Sequence, residues 1–436
     1  MKTQATKRGL ISLPEEILFD VFSRLLIKDL FRFRSVCKDW KKVITDSYFV
    51  DMHNARKNPD QYGSNFLIKC CTSTSDETLI YFVDYENHDT TSSKAFNINF
   101  KLPYSTKIKL VGSSNGLLCL CSLPDHEAYY ICNPLTREVW HLPRPYDLDK
   151  DCEKKMSHYS APLGFAFDKT TNTYKVVFTW CFYDKIYDHS KLKSGVGIYT
   201  LGSGKWRRVE DVPARRFFNP QETSQVLVNG ALHWILLCEP KSELYNSIGA
   251  IDIQSESFRA FKMPREYYGA HRTLGVLQES LCVIDDICAG FVDAAVVFWV
   301  MKDYGNKDSW RKEYIVKKDM LGPLQRARSF KFFNTRKPKT VLLYGDKDDQ
   351  GYYDLENKEF KHTLNNGIQP SSNKVEAVVV HLGSLISPKR IDFPSAQMIS
   401  KTPARTRPKR KLSSAQTSKT PGHTRPKQKL KKSLRS

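Results

Sequence analysis

The segment YYICNPLTREVWHLP, residues 129–143, combines an aliphatic run, a polar turn and a second run that carries the aromatic residue Trp140. Apolar, β-forming runs on either side of turn residues predict a β-hairpin. The same pattern recurs at 196–210, 249–264, 298–316 and 351–364. The aromatic markers of the five segments are 66, 52, 52 and 50 residues apart, and they are Trp140, Trp206, Phe258, Trp310 and Phe360.

A unit that recurs about every 50 residues in an all-β chain has the period of kelch-like propeller blades. With residues 66–98 counted as a first unit, the sequence predicts a mainly β fold, a kelch-like β-propeller of about six blades. The strand predicted at 375–385 is expected to close the ring. A β-sandwich is the alternative fold, although two packed sheets do not require so regular a period.

The N-terminal residues 10–50 have helical periodicity instead. One helix face is formed by Ile17, Leu18, Val21, Phe22 and Leu25. Ser12 is placed to cap this helix, Asp29 to cap a second one, and a third is expected to start near Cys37. Because three short helices cannot bury so many large apolar side chains, the module is expected to dock on the rest of the chain or on a partner.

The stretch LPEEILFDVFSRLLIKDLFRFRSVCKDWKKVI, residues 13–44, resembles an F-box. The matching motifs are Leu13-Pro14-Glu15-Glu16, Ile17-Leu18, Arg32-Phe33-Arg34 and Val36-Cys37-Lys38-Asp39-Trp40. The resemblance implies a small all-α module that binds a Skp-type adaptor and, through it, a cullin scaffold. The side chains expected to form the adaptor-binding face are Leu13, Pro14, Ile17, Leu30, Val36 and Trp40, of which Trp40 is equally suited to the module's own core.

One position departs from the family pattern, because Leu26 stands where plant relatives usually carry proline. Proline ends or kinks a helix, so its loss predicts a longer first helix. The same change is expected to weaken adaptor docking without abolishing it.

Residues 110–388 are similar to the F-box-associated interaction domain of plant F-box proteins. The matching stretches include Gly112–Leu118, Asn133-Pro134-x-Thr136-Arg137, Tyr174–Val177 and Asn229-Gly230-x-Leu232-His233-Trp234. These motifs are structural, since Asn-Gly favours left-handed turn geometry and Asn-Pro-x-Thr is a turn signal. With the F-box, the resemblance implies a non-catalytic substrate-recognition subunit of an SCF-type ubiquitin ligase, which binds a protein substrate and needs no cofactor.

Candidate catalytic and metal-binding residues are better explained as structural ones. The sequence contains no HExxH or CxxC motif, and its 11 cysteines lack the spacing of a zinc site. His233 lies in an apolar run, which predicts a core or inter-blade position. The Gly202–Lys205 run is predicted to be a turn rather than a phosphate loop, and Asp285 and Asp286 are expected to point to opposite faces of a strand.

The net charge of +21 is concentrated near the C-terminus. Residues 401–436 contain 13 Lys/Arg and no acidic residue, which leaves 55 Lys/Arg against 47 Asp/Glu, or +8, in residues 1–400. SKTPARTRPKRKLSS (400–414) recurs as SKTPGHTRPKQKLKK (418–432), and the scarcity of large apolar residues predicts disorder. Basic clusters of the kind read by import receptors are formed by Lys409, Arg410, Lys411, Lys427, Lys429, Lys431 and Lys432.

The sequence therefore predicts an F-box at 10–50, a β-propeller-like interaction domain at 60–390 and a basic tail at 395–436. Cysteines inside apolar runs and the lack of an apolar stretch of membrane-span length favour nucleus and cytoplasm, with the nucleus preferred because of the tail. The alternative function is a nuclear nucleic-acid-binding protein acting through this tail, although nucleic acid is not the expected partner. A third alternative, a propeller hydrolase, would need convergent carboxylates or a metal-binding set.

Overall fold

The computed structural model of the chain describes residues 14–55, 65–72, 78–84, 92–98, 102, 107–122, 128–145, 157–183, 193–209, 212, 226–236, 242–264, 271–287, 294–327, 330–334, 339–345, 349–366, 373–389 and 391. These residues belong to one compact unit that spans residues 1–395. Leu13 and the whole predicted tail, with its basic clusters, lie outside the described residues.

The N-terminal module contains four α-helices within the described residues. They are α1 (Glu15–Ser23), α2 (Ile27–Phe33), α3 (Lys38–Ile44) and α4 (Ser47–Ala55). The first three match the predicted helices, and α4 was not predicted. The cap expected at Asp29 is wrong, because α2 begins two residues earlier and Asp29 instead lies 3.3 Å from the Arg32 guanidinium. The cap expected at Ser12 lies outside the described residues, and Pro14 occupies the N-cap position of α1.

Leu26 does not extend the first helix, so that prediction is wrong. Helix α1 ends at Ser23, and Leu26 is the residue from which α2 begins. Its backbone has φ −67° and ψ 148°, an extended conformation with the φ that a proline ring imposes. The leucine therefore keeps the proline-like bend between α1 and α2.

The remainder of the described chain is mainly β-structure, with two 3₁₀ helices at Lys307–Ser309 and Lys318–Arg326. The strands β1 (Asn65–Thr72), β2 (Thr78–Asp84) and β3 (Ser92–Asn97) follow the helical module. Five sheets of four consecutive antiparallel strands come next, and we name them blades 1 to 5. Blade 1 contains β4 (Ile108–Ser114), β5 (Leu117–Ser122), β6 (Tyr129–Asn133) and β7 (Glu138–His141); blade 2 contains β8 (Ser157–Asp168), β9 (Thr173–Tyr183), β10 (Lys193–Thr200) and β11 (Trp206–Val209).

The other three blades have the same plan. Blade 3 contains β12 (Val226–Val228), β13 (Ala231–Leu236), β14 (Ser247–Asp252) and β15 (Phe258–Lys262); blade 4 contains β16 (His271–Leu277), β17 (Ser280–Ile287), β18 (Ala295–Met301) and β19 (Trp310–Lys317). Blade 5 contains β20 (Phe330–Asn334), β21 (Thr340–Gly345), β22 (Gln350–Asp354) and β23 (Glu359–His362). First strands of successive blades lie side by side, as β4 does beside β8 and β16 beside β20.

A closing sheet joins the two ends of the β-domain. The last strands, β24 (Leu364–Asn366) and β25 (Asn373–His381), combine with the first three in the order β24-β3-β2-β1-β25. Strand β25 pairs antiparallel with β1 and also lies beside β4, as expected for the strand that closes the ring. The prediction of about six like blades is therefore corrected to five regular blades, because residues 66–98 form a blade-like sheet only together with strands from the other end of the chain.

The aromatic markers all lie on the fourth strand of a regular blade, in β7, β11, β15, β19 and β23. Two of them join their blade to the preceding one. The Trp206 indole N–H donates to the Pro143 carbonyl at 2.7 Å, and the Trp310 indole N–H donates to the Lys262 carbonyl at 3.0 Å. At these two markers, the repeated aromatic position of the sequence corresponds to a contact between neighbouring blades.

The turns between third and fourth strands share one design in blades 1, 3 and 5. A side-chain oxygen of Asn133, Asp252 or Asp354 accepts hydrogen bonds from the backbone N–H groups two and three residues later. The residue four positions later has positive φ, and these residues are Arg137, Glu256 and Lys358. The Gly202–Lys205 run occupies the equivalent place in blade 2 and is a turn, as predicted, with positive φ at both glycines.

These turns and those between first and second strands lie at one end of the propeller, which we call the turn face. Tyr174, at the start of β9, donates its hydroxyl to the carbonyl of Asn115 in the β4–β5 turn. Lys175 donates to the carbonyl of Ile253 in the β14–β15 turn at 2.6 Å. Neighbouring blades therefore bring equivalent turns to the same end, and the connections between second and third strands begin at the opposite end.

A buried charge cluster fastens blade 2 to blade 3 at the turn face. The Lys175 ammonium lies 2.9 Å from Glu256 and 3.5 Å from Asp168, and its side chain is 5% exposed. Burial raises the pKa of Glu256, but hydrogen bonds from Arg207 and Lys175 outweigh it and hold that pKa below its ordinary value. The positive charge of the buried ammonium is thus balanced by one carboxylate from blade 2, Asp168, and one from blade 3, Glu256.

We expect Lys175→Ala to lower the free energy of unfolding by about 3–5 kcal/mol, because it leaves buried carboxylates without their cation. Lys175→Met, which keeps the aliphatic volume, should cost less. Urea unfolding at pH 7 measures both. A loss below about 1 kcal/mol for the alanine variant would contradict a structural role for the cluster.

Candidate protein-docking surface

Exposed apolar side chains are concentrated on the helical module. Within the described residues, eight large apolar side chains are exposed, and five of them belong to this small module. The five are Ile17 (47% exposed), Val21 (45%), Leu26 (37%), Val36 (59%) and Tyr48 (70%). Concentration of exposed apolar groups on one part of a protein marks a surface that another molecule covers.

Helix α1 separates this surface from the module's interior. Ile17 and Val21 lie one helical turn apart and are exposed, whereas Leu18 and Phe22 are buried. Asp20 and Arg24 form an exposed ion pair at 2.9 Å on the same helix. Apolar residues bordered by charged ones are the usual arrangement of a protein–protein interface, with an apolar centre and a polar rim.

The interior of the module explains which predicted residues can meet a partner. Leu30 is completely buried among Phe22, Val43, Ile44 and Phe49, so its predicted place on the docking face is wrong. Trp40 is half-buried and meets Phe22 and Phe33 edge-on, with ring centroids 5.2 and 5.3 Å apart. Trp40 therefore contributes to the core of the module, the second of its two expected roles.

The other predicted positions are placed as follows. Pro14, Ile17 and Val36 are exposed, and Leu13 lies outside the described residues. Val21, Leu26 and Tyr48 were missing from the predicted face although they are exposed beside it. Val21 could have been found from its helical spacing to Ile17, but Tyr48 belongs to α4, which the sequence pattern did not predict.

The rear of the module rests on a segment from the far end of the chain. Leu385, which follows β25, is buried in the module's core, and Ile386 packs partly against it. Ile386 also packs against the core shared by blades 1 and 2. A Cβ atom on Gly383 would lie 3.0 Å from the Leu135 side chain and 3.2 Å from the Ile27 side chain, so the chain passes closely between blade 1 and α2 at this glycine. The docking surface is thus carried on a module that is packed against the propeller.

The candidate catalytic residues have structural partners. His233 is buried in blade 3, and its ring lies 2.8 Å from the hydroxyl of Tyr304 in blade 4, which is the predicted inter-blade position. Burial lowers the pKa of His233 to about 4. The ring is therefore neutral at physiological pH.

Asp285 and Asp286 point to opposite faces of β17, as predicted. Asp285 accepts hydrogen bonds from Arg272 at 2.5 Å and from the Trp299 indole at 3.1 Å. Asp286 lies 2.6 Å from the buried ammonium of Lys318. Two adjacent carboxylates are thus used by two separate buried ion pairs and do not form a paired acid and base.

Gly112-Ser113-Ser114-Asn115-Gly116 formally matches the GxSxG motif of serine hydrolases. That motif requires a strand–turn–helix context. Here it forms the β4–β5 hairpin, and the Ser114 hydroxyl accepts a hydrogen bond from the Phe167 backbone at 2.9 Å.

Among the described residues no group of three or more His, Cys, Asp or Glu side chains could hold a metal ion, and no helix is long and apolar enough to cross a membrane.

A small helical module with an exposed apolar face, packed on a β-propeller, defines a two-part protein-binding protein. The comparisons with known proteins agree: residues 10–50 match the F-box-like family and residues 67–384 match the F-box associated beta propeller domain. The chain therefore belongs to the F-box proteins with an associated β-propeller. Members of this family are generally non-catalytic substrate adaptors, and the F-box implies binding of a Skp-type adaptor.

The curated relatives are F-box proteins of Arabidopsis thaliana. F-box protein CPR1 is 28% identical over 400 residues, covering 85% of this chain and 88% of the relative. F-box protein At3g07870 is 29% identical over 328 residues, covering 71% and 73%. Among solved structures, YCF48 bound to D1 peptide covers 74% of this chain and 93% of its own at 9% identity, with a TM-score of 0.36 that is too low to bear on the fold.

We expect Val36→Glu to weaken adaptor binding by about tenfold or more, because a buried, unpaired charge would replace an apolar contact. Ile315→Glu in β19 is a matched control, since Val36 and Ile315 are both 59% exposed. Calorimetric titration with a purified Skp-type adaptor measures both. Equal affinity of the two variants would remove Val36 from the docking surface.

The depressed pKa of His233 predicts a pH-dependent stability. Since the unfolded chain binds a proton near pH 6.5 and the folded chain only near pH 4, stability is complete above pH 6.5 and falls as pH drops toward 4. Between pH 7.5 and 5.5 we expect the wild type to lose about 1 kcal/mol more than His233→Gln in urea unfolding. Parallel losses would show that His233 titrates normally in the folded protein.

Proposed function

We propose that the protein is the substrate-recognition subunit of an SCF-type ubiquitin ligase, which promotes ubiquitination and degradation of a target protein. The observation that supports this most directly is the set of exposed apolar side chains Ile17, Val21 and Val36 on an F-box whose core is completed by Leu385, from the segment that follows β25. The helical module can thus bind an adaptor while the propeller offers a separate surface for a substrate.

The mechanism that this arrangement supports is positioning. The adaptor end attaches the protein to a cullin scaffold, and the propeller holds the target near the charged ubiquitin carrier. The rate gain comes from effective concentration and orientation, so this chain needs to supply no acid, base or nucleophile.

The end of the propeller opposite the turn face is the better candidate for substrate. The helical module meets the turn face through Gly383 and Leu135, which leaves the opposite end uncovered by it. Among the described residues outside the module, two of the three exposed large apolar side chains lie at that opposite end: Tyr245, between β13 and β14, and Met320, just after β19. Large exposed side chains at the strand connections are the usual anchors of a protein-binding surface.

Co-purification with a Skp-type adaptor is the first test of the proposed function. The full chain should retain the adaptor, and a variant lacking residues 1–55 should not. If the full chain fails to retain it, the ligase function is overturned.

Substrate trapping tests the proposed substrate face. The double variant Tyr245→Glu, Met320→Glu should capture fewer ubiquitinated proteins than the wild type while retaining the adaptor. Lys358→Glu, an exposed substitution in a turn of blade 5 at the turn face, is the matched control. If the control loses the same captured proteins and the double variant keeps them, the substrate binds at the turn face.

We further propose that the basic tail directs nuclear import. The supporting observation is the pair of basic clusters in the repeated sequence, Lys409-Arg410-Lys411 and Lys427 to Lys432. Alanine at Lys409, Arg410, Lys411, Lys427, Lys429, Lys431 and Lys432 of a fluorescent full-length fusion should shift it toward the cytoplasm. Alanine at Lys401, Arg405 and Arg407 is the control, and unchanged nuclear signal in the cluster variant would contradict import by these residues.

A further inference from the structure

Asn133 makes two kinds of hydrogen bond from one buried side chain. Its Oδ1 accepts from the backbone N–H groups of Leu135 and Thr136 at 2.8 and 3.2 Å, which holds the β6–β7 turn. Its Nδ2 donates to the carbonyls of Ser384 and Ile386 at 2.9 and 2.7 Å. One amide therefore holds its own turn and, with its other end, the segment that follows β25.

Equivalent positions in other blades show that the turn does not require an amide. Asp252 in blade 3 and Asp354 in blade 5 hold the same turn with Oδ1 at 2.8–3.0 Å from the two N–H groups. A carboxylate accepts hydrogen bonds but donates none. The Nδ2 group that distinguishes Asn133 from these aspartates thus acts only on Ser384 and Ile386.

The segment held by Asn133 forms part of the helical module. Leu385, the residue between the two clamped carbonyls, is buried against Leu18, Phe22 and Phe49 of the module. The path of the segment is narrow, because a side chain on Gly116 would lie 1.8 Å from the Cβ of Ser384. Asn133 binds the carbonyls of both chain neighbours of Leu385, Ser384 and Ile386. The backbone of Leu385 is therefore fixed at the point where its side chain enters the module's core.

We propose that Asn133 is a positioning residue, which clamps residues 384–386 and thereby fixes the F-box on the propeller at one orientation. The inference rests on the proposed function for its purpose, since a fixed orientation sets the distance between bound substrate and ubiquitin carrier. The contact itself, in which the Asn133 amide holds residues 384–386 between propeller and module, does not depend on that function.

Asn133→Asp is the direct test, because it keeps the size and the Oδ1 acceptor and places a carboxylate oxygen against two carbonyls. Asp354→Asn is the matched control in blade 5. Hydrogen exchange, followed by mass spectrometry on the full chain, should rise at least about tenfold in residues 382–389 and in α1 to α4 of Asn133→Asp, while β6 and β7 stay protected. The control should leave these regions unchanged.

A second measurement separates positioning from local folding. Small-angle X-ray scattering of the chain bound to a Skp-type adaptor should show a larger radius of gyration and a broader distance distribution for Asn133→Asp than for wild type or control. If exchange in residues 382–389 is unchanged, or if it rises equally throughout blade 1, the clamp is overturned. Failure of the wild type to bind adaptor would overturn the proposed function but leave the exchange result valid.

Discussion

The antiparallel pairing of β25 with β1 is the constraint on which the architecture depends. In this pairing His381, the last residue of β25, lies opposite Asn65, the first residue of β1. The chain that precedes the propeller and the chain that follows it therefore meet at one end of the closing sheet. Because the helical module precedes β1 and Leu385 follows β25, the ring closure itself brings Leu385 within reach of the module's core.

Buried charges hold the blades in the places that this closure requires. Lys175 serves Glu256 across one blade boundary, and Arg272 with Asp285 and Lys318 with Asp286 occupy the two faces of a single blade. Buried pairs of this kind contribute little net stability, since desolvation offsets most of the attraction. They penalise any displacement that would separate the partners, so the Lys175 pair specifies the position of blade 3 on blade 2, and the two pairs of blade 4 specify the arrangement of its own strands.

The local features of the fold could be predicted from the sequence, and the non-local ones could not. Each marker such as Trp206 or Trp310 lies on a fourth strand, and Asn115-Gly116 and Asn229-Gly230 form left-handed turns, because these patterns depend on neighbours in the chain. The sequence predicts the strand that closes the ring, but it does not show that β1 to β3 share one sheet with β24 and β25, because these strands come from opposite ends of the domain and no local period records their pairing. For the same reason the F-box motif predicts Leu30 on the adaptor-binding face but does not show that the module's own residues cover it.

The completion of the F-box core by Leu385 also has a consequence for biosynthesis. The helices leave the ribosome first, but the side chain that fills their rear wall is translated after every blade. A chain that ends prematurely has all four helices and lacks both the closing strand and Leu385. Because domains fold as their residues become available, the core of the helical module can be completed only after the last blade has been translated. A truncated chain with an incomplete propeller therefore also has an incomplete helical module.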